Sequence, residues 1–259
     1  MNTSTNSYAS VIRGMWFQLK SLAKTTFFLQ NAILAPVCFA LMKIVAYYGF
    51  SHNCTNFLNN IWVDSSIAGL WSATTTAVGI IGYQRYLGTL QYLTLSVISP
   101  SAVFLPIVGS AALLGCIGMP LAIITVAVFC HGFFMITFTQ LVGYLLSMLA
   151  CVASAALLSG IFVLCSKATV YEGLILIPVW MLCGIVIPVE SMPLPARVIA
   201  FIHPLTSAVW VVHAQSFNAT TVLAIVLCVV LSSVLLVIAG FMLRHAIRLA
   251  TLNGSLNII

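Results

Sequence analysis

The sequence predicts an all-α integral membrane protein with six transmembrane helices, on three observations. Charged residues make up 5% of the 259 positions and hydrophobic ones 62%, with a mean hydropathy of +1.18. A water-soluble domain of this length carries about 25% charged residues. Apolar runs of spanning length recur along the chain, and a membrane helix needs roughly 20 such residues. The breaks between runs hold most of the basic residues and much of the proline. No internal repeat, linker or soluble domain interrupts the pattern, so residues 1–259 read as a single transmembrane domain. The net charge of +6 reflects a shortage of acids, since only Asp64, Glu172 and Glu190 are present. With no clustered basic face to cover phosphates, nucleic acid is excluded as a partner.

Before the first run, Tyr8, Val11, Ile12, Met15, Trp16, Leu19, Leu22 and Ala23 recur at helical spacing, while Arg13, Lys20 and Lys24 fall elsewhere. This predicts an amphipathic interfacial helix over 8–24, its basic side chains towards anionic headgroups, with Phe17 breaking its polar face. The first run begins too late and is too long for a cleavable signal, and reads as a span. The six spans fall at about 27–48, 61–82, 102–129, 133–165, 172–189 and 219–243. Pro106, Gly109, Gly115, Gly118 and Pro120 predict a kinked third span, and Cys130, His131 and Gly132 a tight hairpin to the fourth. Between the fifth and sixth spans, prolines 188, 193, 195 and 204 break an apolar stretch. It reads as a re-entrant outer cap over 190–215, with short helices at about 195–202 and 205–214.

The positive-inside rule places both termini in the cytoplasm, because Arg13, Lys20, Lys24, Arg85, Lys167, Arg244 and Arg248 then share that side. Lys43 and Arg197 fall on or near the outer side, where Lys43 can snorkel from the end of the first span. Asp64 and Glu190 also land outside. The expected location is a cell membrane, taken as a bacterial plasma membrane.

The Tyr83–Ser101 stretch, YQRYLGTLQYLTLSVISPS, is then cytoplasmic. Gly88 permits a turn, Thr89 can cap a helix whose Leu90, Leu93 and Val97 share a face, and Pro100 ends it. Within it, GTLQYLTLSVISPS resembles the loop of type-2 ABC transporter permeases, with its glycine–threonine–leucine start and serine–proline end. Leu182 to Ala214 resembles the same family's fifth span and outer cap, closing on His203-Pro204-Leu205-Thr206. The N-terminal amphipathic helix, the hairpin at His131 and the six-span order are similar too.

That resemblance implies the permease subunit of an ATP-driven exporter, moving a hydrophobic or amphipathic cargo such as a drug, antimicrobial peptide, natural product or lipid-like molecule. Its short cytoplasmic helix would couple to a separate ATP-binding subunit through Arg85, Gly88, Thr89, Leu90, Gln91, Tyr92, Leu93, Ser99 and Pro100. The acids that family members carry around the glycine–threonine pair are here Tyr83, Gln84, Tyr86 and Gln91. Docking then falls to apolar and aromatic contact, with Arg85 meeting an acid on the ATPase. The implied partners are two ATPase copies, a second permease chain, identical or a sister, and membrane lipid.

No G-x-x-x-x-G-K-[ST] loop occurs, so the chain itself is expected to bind no cofactor, with ATP and magnesium held by the partner. No acid, base or metal group converges mid-span, so an enzyme is not expected. The histidines have no i, i+4 pairing and read as polar caps of helix ends, so no metal site is expected. Candidate pathway or gate residues are Asn31, Lys43, Thr74, Thr75, Pro188, Glu190 and Pro204. A stand-alone secondary carrier or membrane scaffold is the alternative, with Lys43 the residue to watch.

Overall fold

A computed structural model describes residues 3–50, 55–86, 100–130, 136–164 and 168–252. Among them there is no strand, and helices account for nearly all of these residues. The helices are α1 (Thr3–Lys24), α2 (Thr26–Phe50), α3 (Thr55–Tyr86), α4 (Pro100–Gly115), α5 (Gly118–Cys130) and α6 (Phe138–Leu164). They continue with α7 (Ala168–Leu182), a 3-10 turn at Val189–Ser191, α8 (Leu194–Ile202), α9 (Pro204–His213) and α10 (Ala219–Leu252). Among the described residues four stretches are long and apolar enough to cross a membrane: Thr26–Gly49, Phe104–Phe129, Phe138–Val163 and Ala219–Leu249. The α8–α9 pair, bent by 104°, makes five if it counts as one span.

The helix α3 is the hub. It packs against α2, α4, α5, α6 and α7, and every side chain from Ile61 to Gly79 is buried. Trp62, Ile67, Leu70 and Trp71 sit in one core cluster with Leu205 and Val209 of α9. Burial on all sides lets this helix carry serines and threonines, whose hydroxyls bond back to their own turn. Ser65 donates to Ile61 O at 2.7 Å and Ser66 to Trp62 O at 2.6 Å. Those same residues dilute its apolar character, so α3 is not among the four spanning stretches. Against it, α2 brings Pro36 into a notch made by Gly69 of α3 and Gly118 of α5. A methyl group at Gly69 would lie 2.9 Å from Pro36 Cδ.

The third predicted span is two helices joined at Cys116–Ile117. Pro120 has no N–H to offer the Cys116 carbonyl four residues back, and Met119 N takes that carbonyl instead at 3.1 Å. The helix of the fifth predicted span, α7, stops at Leu182, although the apolar run predicts a span to 189. Gly184 at φ +89° takes a left-handed turn open to glycine, and Pro188 follows, so the chain leaves the helix before the hydropathy falls. The helices of the second and sixth predicted spans, α3 and α10, run past their expected bounds of 61–82 and 219–243, and that of the fourth, α6, starts at Phe138, not 133.

On α1, Met15, Leu19 and Leu22 turn inward, and the helix packs along α4 with Gly14 against Pro106 and Met15 against Gly109. Ile12, Trp16 and Phe17 face outward, and the Lys20 ammonium lies 5.2 Å from the Trp16 ring centre. The apolar residues of α1 thus serve two faces, one against the protein and one left free.

Candidate functional site

The polar groups of the bundle gather at two levels along α3. With a rise of about 1.5 Å per residue, Asp64 and Thr76 lie roughly 18 Å apart along the axis.

At the first level Asp64 is buried and holds two partners from other helices. Lys43 of α2 donates to its Oδ2, and His213 Nε2, at the end of α9, lies 2.8 Å from its Oδ1. Lys43 is buried as well, while the His213 side chain keeps 30% of its surface. A buried carboxylate is costly unless paired and hydrogen-bonded, and here both oxygens are engaged. The pair also ties three helices together. Around it, Gln140 of α6 donates to Asn59 O and to Asn60 Oδ1 at 3.0 Å each, and Thr139 donates to Ala214 O at 2.8 Å. Two polar cavities of ≈ 340 Å³ and ≈ 410 Å³ flank His213. The first includes Glu190, Trp210 and Asn218 in its wall, and the second Asn59, Asn60 and Gln140. His213 is therefore the member of the trio within reach of polar solvent or solute.

At the second level Asn31 of α2 donates to Thr76 Oγ1 at 2.9 Å. Thr76 lies near the carboxylate of Glu172 on α7, whose Oε2 lies against Gly79. The absence of a Cβ at Gly79 leaves room for that carboxylate, since an added one would lie 2.3 Å from Glu172 Oε2.

The residues singled out from sequence thus distribute unevenly. Lys43 and Asn31 join the two polar groups. Thr74 and Thr75 are buried and spend their hydroxyls on α3 itself, Thr74 on Leu70 O at 2.9 Å and Thr75 on Trp71 O at 2.7 Å. Pro188 and Glu190 lie exposed at the 3-10 turn, where Arg197 donates to the carbonyls of Val189, at 3.3 Å, and of Glu190. Pro204 is buried in the first turn of α9. Arg85 lies in the last turn of α3 and Pro100 opens α4. Gly88, Thr89, Leu90, Gln91, Tyr92, Leu93 and Ser99, the remaining coupling residues, lie outside the described residues, as do His131 and Lys167.

Sequence reasoning left out Asp64, His213, Gln140 and Glu172 as site residues. It read Asp64 as a charge that lands on the outer side and did not foresee that the carboxylate is buried inside the bundle. A lone acid in an apolar run calls for a cation near by, and Lys43 was the candidate at hand. Among the described residues no three of His, Cys, Asp and Glu converge as metal ligands. The Asp64–His213 pair already carries Lys43 on its second oxygen.

No family model and no curated protein matches the chain.

Proposed function

We propose that this chain is the membrane-spanning subunit of an ABC-type exporter of hydrophobic or amphipathic cargo, driven by a separate ATP-binding protein. The observation that carries the reading is the α8–α9 pair, bent by 104° at His203, in the stretch whose sequence resembles the outer cap of those permeases. A short helix pair of this kind needs protein around its ends. Here α9 packs on α6, α10 and α3, and its N-terminal turn is closed by His203, which accepts from Leu205 N at 3.3 Å. The packing of α1 along α4 and the absence of fixed charge from most of the bundle fit the same reading.

In this scheme ATP closes two partner ATPases, the 88–99 segment moves with them, and α2, α3 and α7 shift to release cargo past the 190–215 cap. Both termini face the cytoplasm, and two permease chains form one pathway. Tagged chain drawn from native membranes in mild detergent brings down an ATP-binding subunit in equal ratio. Leu90→Asp with Tyr92→Asp loses that subunit. Recovery of the chain alone from several detergents overturns the proposal.

One observation favours a second reading, a stand-alone carrier coupled to protons. Asp64, Lys43 and His213 form a buried titratable group beside polar cavities, a common mark of ion pathways in membranes. Purified chain in liposomes then transports under an imposed proton gradient with no ATPase present, and Lys43→Met abolishes it.

A further inference from the structure

One cavity stands apart from the polar levels of α3. It measures ≈ 360 Å³, and Trp71 of α3, Leu158 and Ser154 of α6, Val179 of α7, and Ile199 and His203 at the bent pair contribute to its wall. An apolar cavity of about 150 Å³ already stays dry and takes up benzene. Ile199 and Ile202 at its edge are 56% and 68% exposed, which gives the space an apolar mouth on the surface of the bundle.

Among the described residues no lysine, arginine, aspartate or glutamate lines this space, and its polar side chains are engaged with one another and with backbone groups. His203 Nδ1 accepts from Leu205 N at 3.3 Å, with the Cys183 thiol 3.5 Å away. That leaves the ring proton on Nε2, facing Ser154 Oγ at 3.2 Å, while Ser154 donates to Ala150 O at 2.8 Å. The ring is thus a neutral imidazole, packed edge to face on Trp71 at 5.6 Å. Trp71 Nε1 donates to Leu176 O at 3.3 Å. A water molecule needs two to four polar partners, and the wall has none to spare. A charged or strongly polar solute would shed its hydration there for no return. Hydrocarbon loses nothing by entering.

We propose that this cavity is a binding site for an uncharged, hydrocarbon-rich molecule that enters from the bilayer past Ile199 and Ile202. Its occupant is a freely diffusing lipophile or the acyl tail of a membrane lipid, one chemistry from two sources. The site requires only that the chain sit in lipid, so it stands or falls apart from the exporter reading.

The test uses purified full-length chain in lipid nanodiscs with no ATPase present. Three photoactivatable probes carry a diazirine: a long-chain alcohol and a net-neutral phospholipid at the end of the alkyl chain, and a short-chain quaternary ammonium directly beside its charge. Cross-linked residues are mapped by mass spectrometry. The neutral probes label the cavity wall around Leu158 and Val179, and excess unlabelled alcohol competes that labelling away. Labelling by the alcohol identifies a diffusible lipophile as the occupant, and labelling by the phospholipid alone identifies a lipid tail. Leu158→Phe and Val179→Phe, which fill the space from two different helices, each lower cavity labelling several-fold and leave labelling of the exposed face of α10 unchanged. That unchanged face reports an intact fold, and the competition result stands without either variant. Labels confined to exposed helix faces, equal labelling by the ammonium probe, or cavity labelling indifferent to both fillings and to competitor overturns the proposal.

Discussion

The helices α3 and α10 reverse the order that water imposes on a protein. Every side chain of α3 from Ile61 to Gly79 is buried, yet this stretch carries an aspartate, three serines and three threonines. The spanning window of α10 is the more apolar of the two, and only 22% of it is buried. Val222, Leu223, Val226, Val237 and Phe241 stand on its open face, each more than half exposed. In water the apolar helix belongs inside and the polar one at the rim, because burying apolar surface drives folding. In lipid there is no such drive between helices, and polar side chains turn inward to find one another. The contrast teaches that polarity marks the centre of this protein and apolarity its edge.

The hardest way to break the comparison is at Asp64. Asp64→Ala leaves the Lys43 ammonium and His213 at the bundle's centre without the carboxylate they share. Stranding one member of a buried pair costs about 3–5 kcal/mol. At about 2–4 °C per kcal/mol, the thermal midpoint in detergent falls by roughly 6–20 °C. Lys43→Met combined with Asp64→Leu recovers most of the loss, since apolar replacement of both partners removes the stranded charge along with the pair. A single variant that melts with the parent shows that the interior of α3 does not depend on its charge.

The next test lies on the other helix. Val234, near the middle of α10, is 48% exposed. On a water-facing surface an arginine there changes stability within about 0.5 kcal/mol. In the middle of a membrane helix it costs roughly 2.5–3.5 kcal/mol to insert. Val234→Arg therefore lowers the carbonate-resistant fraction of the protein, and Val234→Leu leaves it unchanged. Equal fractions for the two would mean that α10 does not face lipid.

Much of this contrast was legible in the sequence, and its inversion was not. Composition alone places the chain among helical membrane proteins, and Pro195, His203 and Pro204 mark where the short helices begin and end, because proline's missing N–H and fixed φ act locally. Hydropathy says how apolar a helix is but not which way it faces, so 61–82 and 219–243 both read as spans, with nothing to say that the first is buried and the second exposed. The end of α7 escaped for a related reason. Ile185, Val186 and Ile187 keep the run apolar, while the turn depends on a φ angle at Gly184 that no window average can see. Asp64 reaches partners 21 and 149 residues away, a distance in sequence at which spacing carries no information. What the sequence did offer was scarcity. Three acids in 259 residues make each one worth a partner, and two of them lie at α3, Asp64 as one of its buried residues and Glu172 against its Gly79.

The finest test compares a glycine at the centre with one at the edge. Gly143 of α6 lets α9 approach so closely that an added Cβ would lie 2.8 Å from Val212 N and 3.0 Å from its Cα. Those atoms are backbone, so relief requires α9 to move, and Val212 directly precedes His213. Gly143→Ala thus strains the α6–α9 joint and loosens the His213–Asp64 contact together, at about 1–3 kcal/mol for overpacking. Gly240 of α10 has nothing within 4 Å of its added Cβ. Gly240→Ala has only the helix gain to register, about 0.5–1 kcal/mol in favour of alanine. The two substitutions add the same methyl group to the same kind of helix, so opposite shifts in the thermal midpoint isolate packing as the cause. Equal shifts would mean that α9 gives way freely, and that the polar trio at Asp64 is held by its charges with no help from the joint beside it.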